Sequence, residues 1–277
     1  MAVDYIRQVV ALLLRQEPSE TSYLQFFADA CQDPLVSEVN LFTLNHDTLL
    51  EDFLKTNRVK VINGLREASN GDGSHRWDPS VFDAPNAERR VNLFKLHGSV
   101  NWYRWRPISQ QKALYENADR DGRFVGTYKA QDPNDWLYEH VLESEGPRLL
   151  AGTFNKIFDY NSEVFLELHH RFHRGLRNCQ TLVVCGYGYG DKGVNTRIAE
   201  WRHRPSEPKL LIIDPAEPSK IVQKARGAIQ REIAALDPQT AIDSLPSGRV
   251  IHWPSGLEDL ESTGGRTITW EKIRAEL

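Results

Sequence analysis

The sequence predicts an α/β fold: a doubly wound, mostly parallel sheet with helices on both faces, interrupted by an inserted segment containing tryptophans. Three observations carry that expectation. Short apolar, partly β-branched runs alternate with stretches whose apolar residues recur at helical spacing, the pattern of parallel strands joined by crossover helices. Polar clusters close several of the apolar runs, at the strand ends where open parallel sheets bind ligands. Residues 100–147 lose the alternation and carry Trp102, Trp105 and Trp136 among polar residues, which reads as an insertion or lid. The chain therefore divides into an N-terminal helical segment, 1–38, and an α/β domain, 39–277, with the insertion at about 100–147.

The elements follow in order. Ile6, Val9, Val10, Leu13 and Leu14 repeat at helical spacing and open the chain with an amphipathic helix, which Pro18 and Ser19 interrupt. Ser22 caps a second helix through about Cys31, with Pro34 beyond its end. Val39 to Leu44 suits a strand, and Asp47 serves as N-cap for the helix in "DTLLEDFLK". "NRVKVIN" predicts a second strand, and residues 64–90, rich in Gly, Asp, Ser, Asn and Pro, predict loop. "VNLFKL" is the next strand. After the insertion come a strand near Arg148 to Ala151, a helix from about Ser162 to Arg177, and a strand over 181–185. A helix from Val194, the strand "KLLIID", a long helix from about Pro218 to Leu236, the strand "RVIHW" and a short terminal helix complete the series.

Composition narrows the function. The 277 residues allow a substantial core, and 26% charged with 40% hydrophobic residues is ordinary for a globular protein. A net charge of −4 gives no electrostatic basis for direct nucleic-acid or membrane binding. No apolar run spans a bilayer, and Met-Ala-Val-Asp-Tyr does not begin a signal peptide. Cys31, Cys179 and Cys185 are widely spaced, which predicts a reducing, cytoplasmic setting with no disulfide framework and no zinc site. His169 and His173, four apart on a helix, lack a third ligand and are crowded by Arg171, Arg174 and Arg177, so a solvated basic face is expected rather than a metal site.

Three polar clusters end strands: Thr43-Leu-Asn45-His46-Asp47, Leu96-His97-Gly98-Ser99, and the glycine-rich stretch "CGYGYGDKGVN". In the last, Gly188, Gly190 and Gly193 match the G-x-G-x-x-G of a Rossmann dinucleotide turn, and Asp214 ends the next strand where an acid would hold a ribose hydroxyl. The register is wrong for that turn, however. Gly186 occupies the place directly after the strand, and counting from it puts Asp191 where the third glycine belongs; an acid there repels a pyrophosphate. From the residues alone, a tight strand-to-helix turn with Asp191 capping the helix is the plainer alternative.

Taken in order, "TLNHDTLLE", "KLHGSVNW" and "VVCGYGYGDKGVN" resemble the sirtuin family. More narrowly they resemble prokaryotic sirtuin-like domains, several of which are NAD-cleaving effectors of anti-phage defence. The resemblance covers about residues 39–253 and implies a Rossmann-like fold with NAD as substrate. It implies that His97 is the general base, since a histidine titrates at about 6.5 in its ordinary setting and can take a proton from a ribose hydroxyl or a water. Asn45 would hold the ribose or the attacking water, and Asp47 would orient it or face the nicotinamide amide. Thr43 and Gly98 belong to the same cofactor-binding clusters. Gly186 and Tyr187 would line the adenosine side, Asp191 and Asn195 would support that turn, and Asp214 would accept from the adenosine ribose.

Two departures shape the expectation. The Gly-Ala-Gly-x-Ser loop that wraps the NAD pyrophosphate in sirtuins has no counterpart before Thr43, and the four-cysteine zinc module of deacylating sirtuins cannot be built from three scattered cysteines. The resemblance therefore implies an NAD+ glycohydrolase whose first βα unit is missing, either because the chain is a truncated product or because another protein chain or a second copy completes or regulates the site. The alternatives are a degenerate module for assembly or nucleotide sensing, then a protein deacylase or a Rossmann dehydrogenase.

Overall fold

The computed structural model describes residues 2–16, 18, 20–67, 75–85, 89–107, 124–127, 140–142, 146–150, 163–206, 208–234, 250–254 and 269–275. Trp136 lies outside the described residues, as do most of the insertion and the end of the expected long helix. The architecture is mixed α/β with parallel strands. The chain forms two compact units, Met1–Ser19 with Cys31–His170, and Glu20–Ala30 with Arg171–Leu277.

In the first unit, α1 (Ala2–Leu14) sets Ala11 against Val100 and Leu149, with Val10 and Leu14 alongside. The parallel strands β1 (Glu38–Thr43) and β4 (Arg90–Lys95) pair in register from Glu38↔Arg90 to Thr43↔Lys95. Val91 to Lys95 are all buried, as expected for a parallel strand covered on both faces. Between these strands runs α3 (Leu49–Thr56).

The expected strand over 57–63 shrinks to a single parallel bridge, Ile62↔Asn92. The cause is the end of α3. The amides of Arg58 and Val59 turn back to the carbonyls of Lys55 and Leu54, and Arg58 takes a left-handed φ of 60°, so these residues terminate the helix and cannot extend a strand. The expected loop 64–90 contains β2 (Leu65–Glu67) and β3 (His75–Trp77) instead. They join the inserted strands β5 (Trp102–Pro107), β6 (Phe124–Thr127) and β7 (His140–Leu142) in an antiparallel sheet of order β2-β3-β6-β5-β7. Trp102 and Trp105 are buried, and the Trp77 and Trp102 rings lie 5.7 Å apart, so these aromatics pack this sheet. Of the expected strand at 148–151, the described residues 148–150 form an isolated antiparallel bridge, Gly98↔Leu149.

In the second unit, β8 (Thr181–Cys185), β9 (Lys209–Ile213) and β10 (Val250–Trp253) form a parallel sheet with β9 in the centre. Leu211 and Ile213 lead a core with Phe26, from α2 (Gln25–Gln32), and Ile273. Phe26 also meets the Trp270 ring edge-on at 6.0 Å. The helix expected from Ser162 is α4 (Glu163–Asn178). After β8 comes α5 (Lys192–Arg202), and the terminal helix is α8 (Trp270–Arg274). The long helix expected from Pro218 is two helices, α6 (Pro218–Lys224) and α7 (Ile229–Ala234). They part at Ala225–Gly227, where Gly227 has φ +79°. The backbone of Arg226 is engaged by Asn195 and Tyr189.

Candidate functional site

The first cluster is a clasp between two parallel strand ends. Where β1 and β4 stop, the turn of residues 43–47 gives its carbonyls to donors from residues 95–100. Thr43 O accepts from the Leu96 amide at 2.9 Å. His46 O accepts from the Val100 amide at 2.9 Å and from the Ser99 hydroxyl at 3.3 Å. The Asp47 carbonyl accepts from the Lys95 ammonium. The 43–47 backbone is thereby fixed against the His97 turn, and the His46 and His97 rings stand 6.0 Å apart.

Side chains within the turn finish it. Thr43 Oγ1 accepts from the Asn45 amide at 3.1 Å, and Asp47 Oδ1 accepts from the Leu49 amide at 3.1 Å. The N-cap of α3 is Thr48, not Asp47 as the sequence suggested. Asp47 makes an Asx-type turn one residue earlier, and the Thr48 hydroxyl donates to Asp52 Oδ2 at 2.7 Å. Asn45 is exposed, whereas His97 is only 5% exposed. The His97 carbonyl accepts from the Leu150 amide at 2.8 Å. Gly98 has φ +80°, and a Cβ there would lie 2.2 Å from the Arg148 carbonyl oxygen, so both conformation and space demand glycine.

Beneath the clasp lies a pair the sequence reading missed. Lys95, 1% exposed, meets Glu51 Oε1 at 2.8 Å. Burial pushes the Glu51 carboxyl above its ordinary range, and the Lys95 ammonium opposes that rise. The available signal was Lys95 itself, a cation ending the apolar run "VNLFKL".

The second cluster is the turn from β8 to α5. Gly186 has φ +61°, and no described atom lies within 4 Å of the Cβ position at Gly186, Gly188 or Gly190. Asp191 is the N-cap of α5 and accepts from the amides of Gly193 at 2.9 Å and Val194 at 3.1 Å. Asn195 is fully buried. Its Nδ2 donates to Tyr189 O and to Arg226 O, both at 2.7 Å, and its Oδ1 accepts from the Tyr187 hydroxyl at 2.8 Å. The Arg226 amide also donates to Tyr189 O at 3.0 Å. That double engagement of Arg226 is why α6 and α7 are separate helices.

Asn195 is thus committed to the turn itself. The Tyr187 and Tyr189 rings lie 4.7 Å apart, tilted by 46°, and Tyr189 holds a left-handed φ of 51°. Burial, reinforced by the Asp214 carboxylate, raises the Tyr189 phenol and keeps it protonated. Asp214, just after β9, accepts from the Ala216 amide at 2.8 Å.

Burial also holds all three free cysteines as thiols, with Cys31 and Cys185 pushed up to about 12 and Cys179 to about 11, so none offers a thiolate nucleophile. Among the described residues there is no group of three or more His, Cys, Asp or Glu that could hold a metal ion, and no helix long and apolar enough to cross a membrane.

The structure therefore brings Thr43, Asn45 and Asp47 together with His97 and Gly98 in the first unit. It gathers Gly186, Tyr187, Asp191 and Asn195 in one turn of the second, with Asp214 coupled to Tyr189. A family model for the SIR2-like domain matches residues 39–235. No curated protein matches the chain.

Proposed function

The chain belongs to the SIR2-like, that is sirtuin-like, domain family, whose members bind NAD, and from that membership we propose that it is an NAD+ hydrolase of a prokaryotic anti-phage defence system, acting in the cytoplasm. The observation that carries the proposal is the clasp. Four hydrogen bonds from residues 95–100 to the carbonyls of 43–47 fix the backbone that carries Asn45 beside the turn that carries His97.

In this reading the nicotinamide–ribose bond breaks with both electrons leaving on nicotinamide, through an oxocarbenium-like state. Water adds to the anomeric carbon, giving ADP-ribose and one proton. Asn45, an amide that donates and accepts, holds the ribose or the attacking water. His97 takes the proton from that water or from a ribose hydroxyl. Asp47 orients the nicotinamide amide, and Thr43 and Gly98 shape the turn around it. Gly186 and Tyr187 line the adenosine, Asp191 and Asn195 brace that turn, and Asp214 accepts from the adenosine ribose. The glycines of residues 186–190 support ligand contact, because neither Gly188 nor Gly190 is demanded by a positive φ or by a described neighbour.

One observation favours a second reading, a catalytically degenerate module for assembly or nucleotide sensing. The first glycine of the chain is Gly64, so residues 1–63 contain no counterpart of the pyrophosphate-wrapping glycine loop. The hydrolase reading then requires that those pyrophosphate donors come from outside residues 1–63. Nicotinamide release from NAD, measured with and without an added glycine-loop segment, separates the two. Slow or no release alone, fast release with the segment, and a loss of about 10² to 10⁴ on His97→Ala are expected. No release under either condition supports the degenerate module. Release that survives His97→Ala overturns the assignment of the base.

A further inference from the structure

Lys95 ends a strand whose preceding four residues, Val91 to Phe94, are buried, and it is buried itself. A buried ion pair is a poor source of stability, because apolar residues of similar volume usually serve as well or better. This pair is also incompletely satisfied: Glu51 Oε2 is buried with no hydrogen-bond partner among the described residues. Its geometry, by contrast, is specific. The Lys95 ammonium bonds Glu51 Oε1 at 2.8 Å and the Asp47 carbonyl, so one cation joins the end of β4, the first turn of α3 and the turn carrying Asn45 and Asp47.

No backbone donor of β4 takes that place. The amide after the strand, Leu96, is already given to Thr43 O, and the Gly98 amide turns back to Lys95 O at 2.9 Å. A long side chain with several donors is what spans the remaining gap to Asp47, and Glu51 fixes where that side chain ends.

We propose that Lys95 and Glu51 are a positioning pair for the Asn45–Asp47 turn: Lys95 sets the turn through the Asp47 carbonyl, and Glu51 holds Lys95 in place. The role in turnover rests on the reading of this turn as the nicotinamide-ribose end of the site; the role in holding the turn does not. Neither residue touches substrate. A misplacement of about 1 Å at such a turn costs roughly 10² in rate, whereas a purely stabilising pair is replaceable by apolar residues.

The test uses the 277-residue protein and the double variant Lys95→Met/Glu51→Leu, which removes the charges together and leaves no buried charge unpaired. Melting and amide exchange are measured, with attention to the Leu49 and Val100 amides, which donate to Asp47 Oδ1 and His46 O. Melting within a few degrees of the parent is expected, with exchange at Leu49 and Val100 at least tenfold faster and exchange in β9 unchanged. Where the parent, supplied with the glycine-loop segment, releases nicotinamide, kcat falls about 10² with little change in KM. Parent-like exchange and turnover in the double variant overturn the proposal. If the double variant does not fold, Glu51→Gln, which keeps the shape, decides: exchange at the same two amides several-fold faster supports the pair, and unchanged exchange overturns it. If the parent neither binds nor cleaves NAD, the functional reading falls while the exchange comparison still decides the positioning role.

Discussion

Asn195 concentrates more structural consequence than any other side chain of the glycine turn, and its replacement gives a graded expectation. Asn195→Ala removes three hydrogen bonds, from Tyr187, to Tyr189 O and to Arg226 O, at a position with no solvent exposure. Two of the partners keep alternatives: Tyr189 O still accepts from the Arg226 amide, and the Tyr187 hydroxyl still has the Asp191 carbonyl at 3.2 Å. Arg226 O loses the Asn195 donor. At about 1 kcal/mol per net hydrogen bond, with a further penalty for that carbonyl, the loss is about 3 to 4 kcal/mol. Asn195→Asp keeps an acceptor for Tyr187 but turns a carboxylate oxygen toward two carbonyl oxygens that now sit 2.7 Å from a donor. Stability should therefore fall in the order Asn, Ala, Asp. Urea unfolding read from exchange of the buried β9 amides reports the second unit alone. A loss below about 1 kcal/mol for Asn195→Ala, or an Asp variant more stable than the Ala variant, refutes the reasoning.

Two further expectations concern the other elements of the clusters. Gly186→Ala meets only the left-handed backbone penalty of about 1 to 2 kcal/mol, since no described atom crowds its Cβ, while Gly98→Ala adds a 2.2 Å clash with the Arg148 carbonyl and should exceed about 4 kcal/mol; thermal melts that rank the two the other way contradict the geometry. For pH, burial raises the folded Glu51 pKa above its ordinary 4.5, so the folded state holds the proton more tightly and stability falls as pH rises through that window. Lys95→Met removes the opposing ammonium, so the variant's deficit in melting temperature should grow as pH rises above the ordinary carboxylate range and flatten when Glu51→Gln is added. A deficit that stays constant over that rise refutes it.

The sequence carried the parallel strands well because their burial is written in composition: "VNLFKL" and "KLLIID" are apolar on both faces, and their carboxyl ends are marked by abrupt polar clusters. It failed where backbone groups are used at a distance. "NRVKVIN" has the residues of a strand, but 57–59 are taken by the helix before them, and only Ile62 reaches β4. "PSKIVQKARGAIQREIAAL" has helical spacing throughout, yet its middle is drawn off at Arg226 by Asn195, 31 residues away in sequence, and by Tyr189. No local pattern encodes that contact, although Gly227 marks the break. Within the site, the sirtuin resemblance already set Asn195, as a support of its turn, apart from Asn45, and the burial of the one and the exposure of the other fit that division. The Lys95–Glu51 pair was not legible, because nothing local in the sequence joins a strand end to a helix 44 residues earlier.

The same distinction decides between the two dinucleotide turns that the glycines suggest. A Rossmann turn binds the pyrophosphate at the N-terminus of the following helix, where unpaired amides and the helix dipole attract an anion. Here the helix following β8 is α5, and its Gly193 and Val194 amides are already given to the Asp191 carboxylate. That terminus is neutralised by the chain's own acid, and a phosphate brought there would face a carboxylate in place of free donors. What the turn offers a ligand is different: glycine backbone at 186, 188 and 190 with no described atom crowding it, on a frame held rigid by Asn195. Such a surface suits the flat, neutral part of a nucleotide better than its phosphates. The phosphates must then find their donors elsewhere, which is why the hydrolase reading stands or falls with a glycine loop that residues 1–63 do not contain.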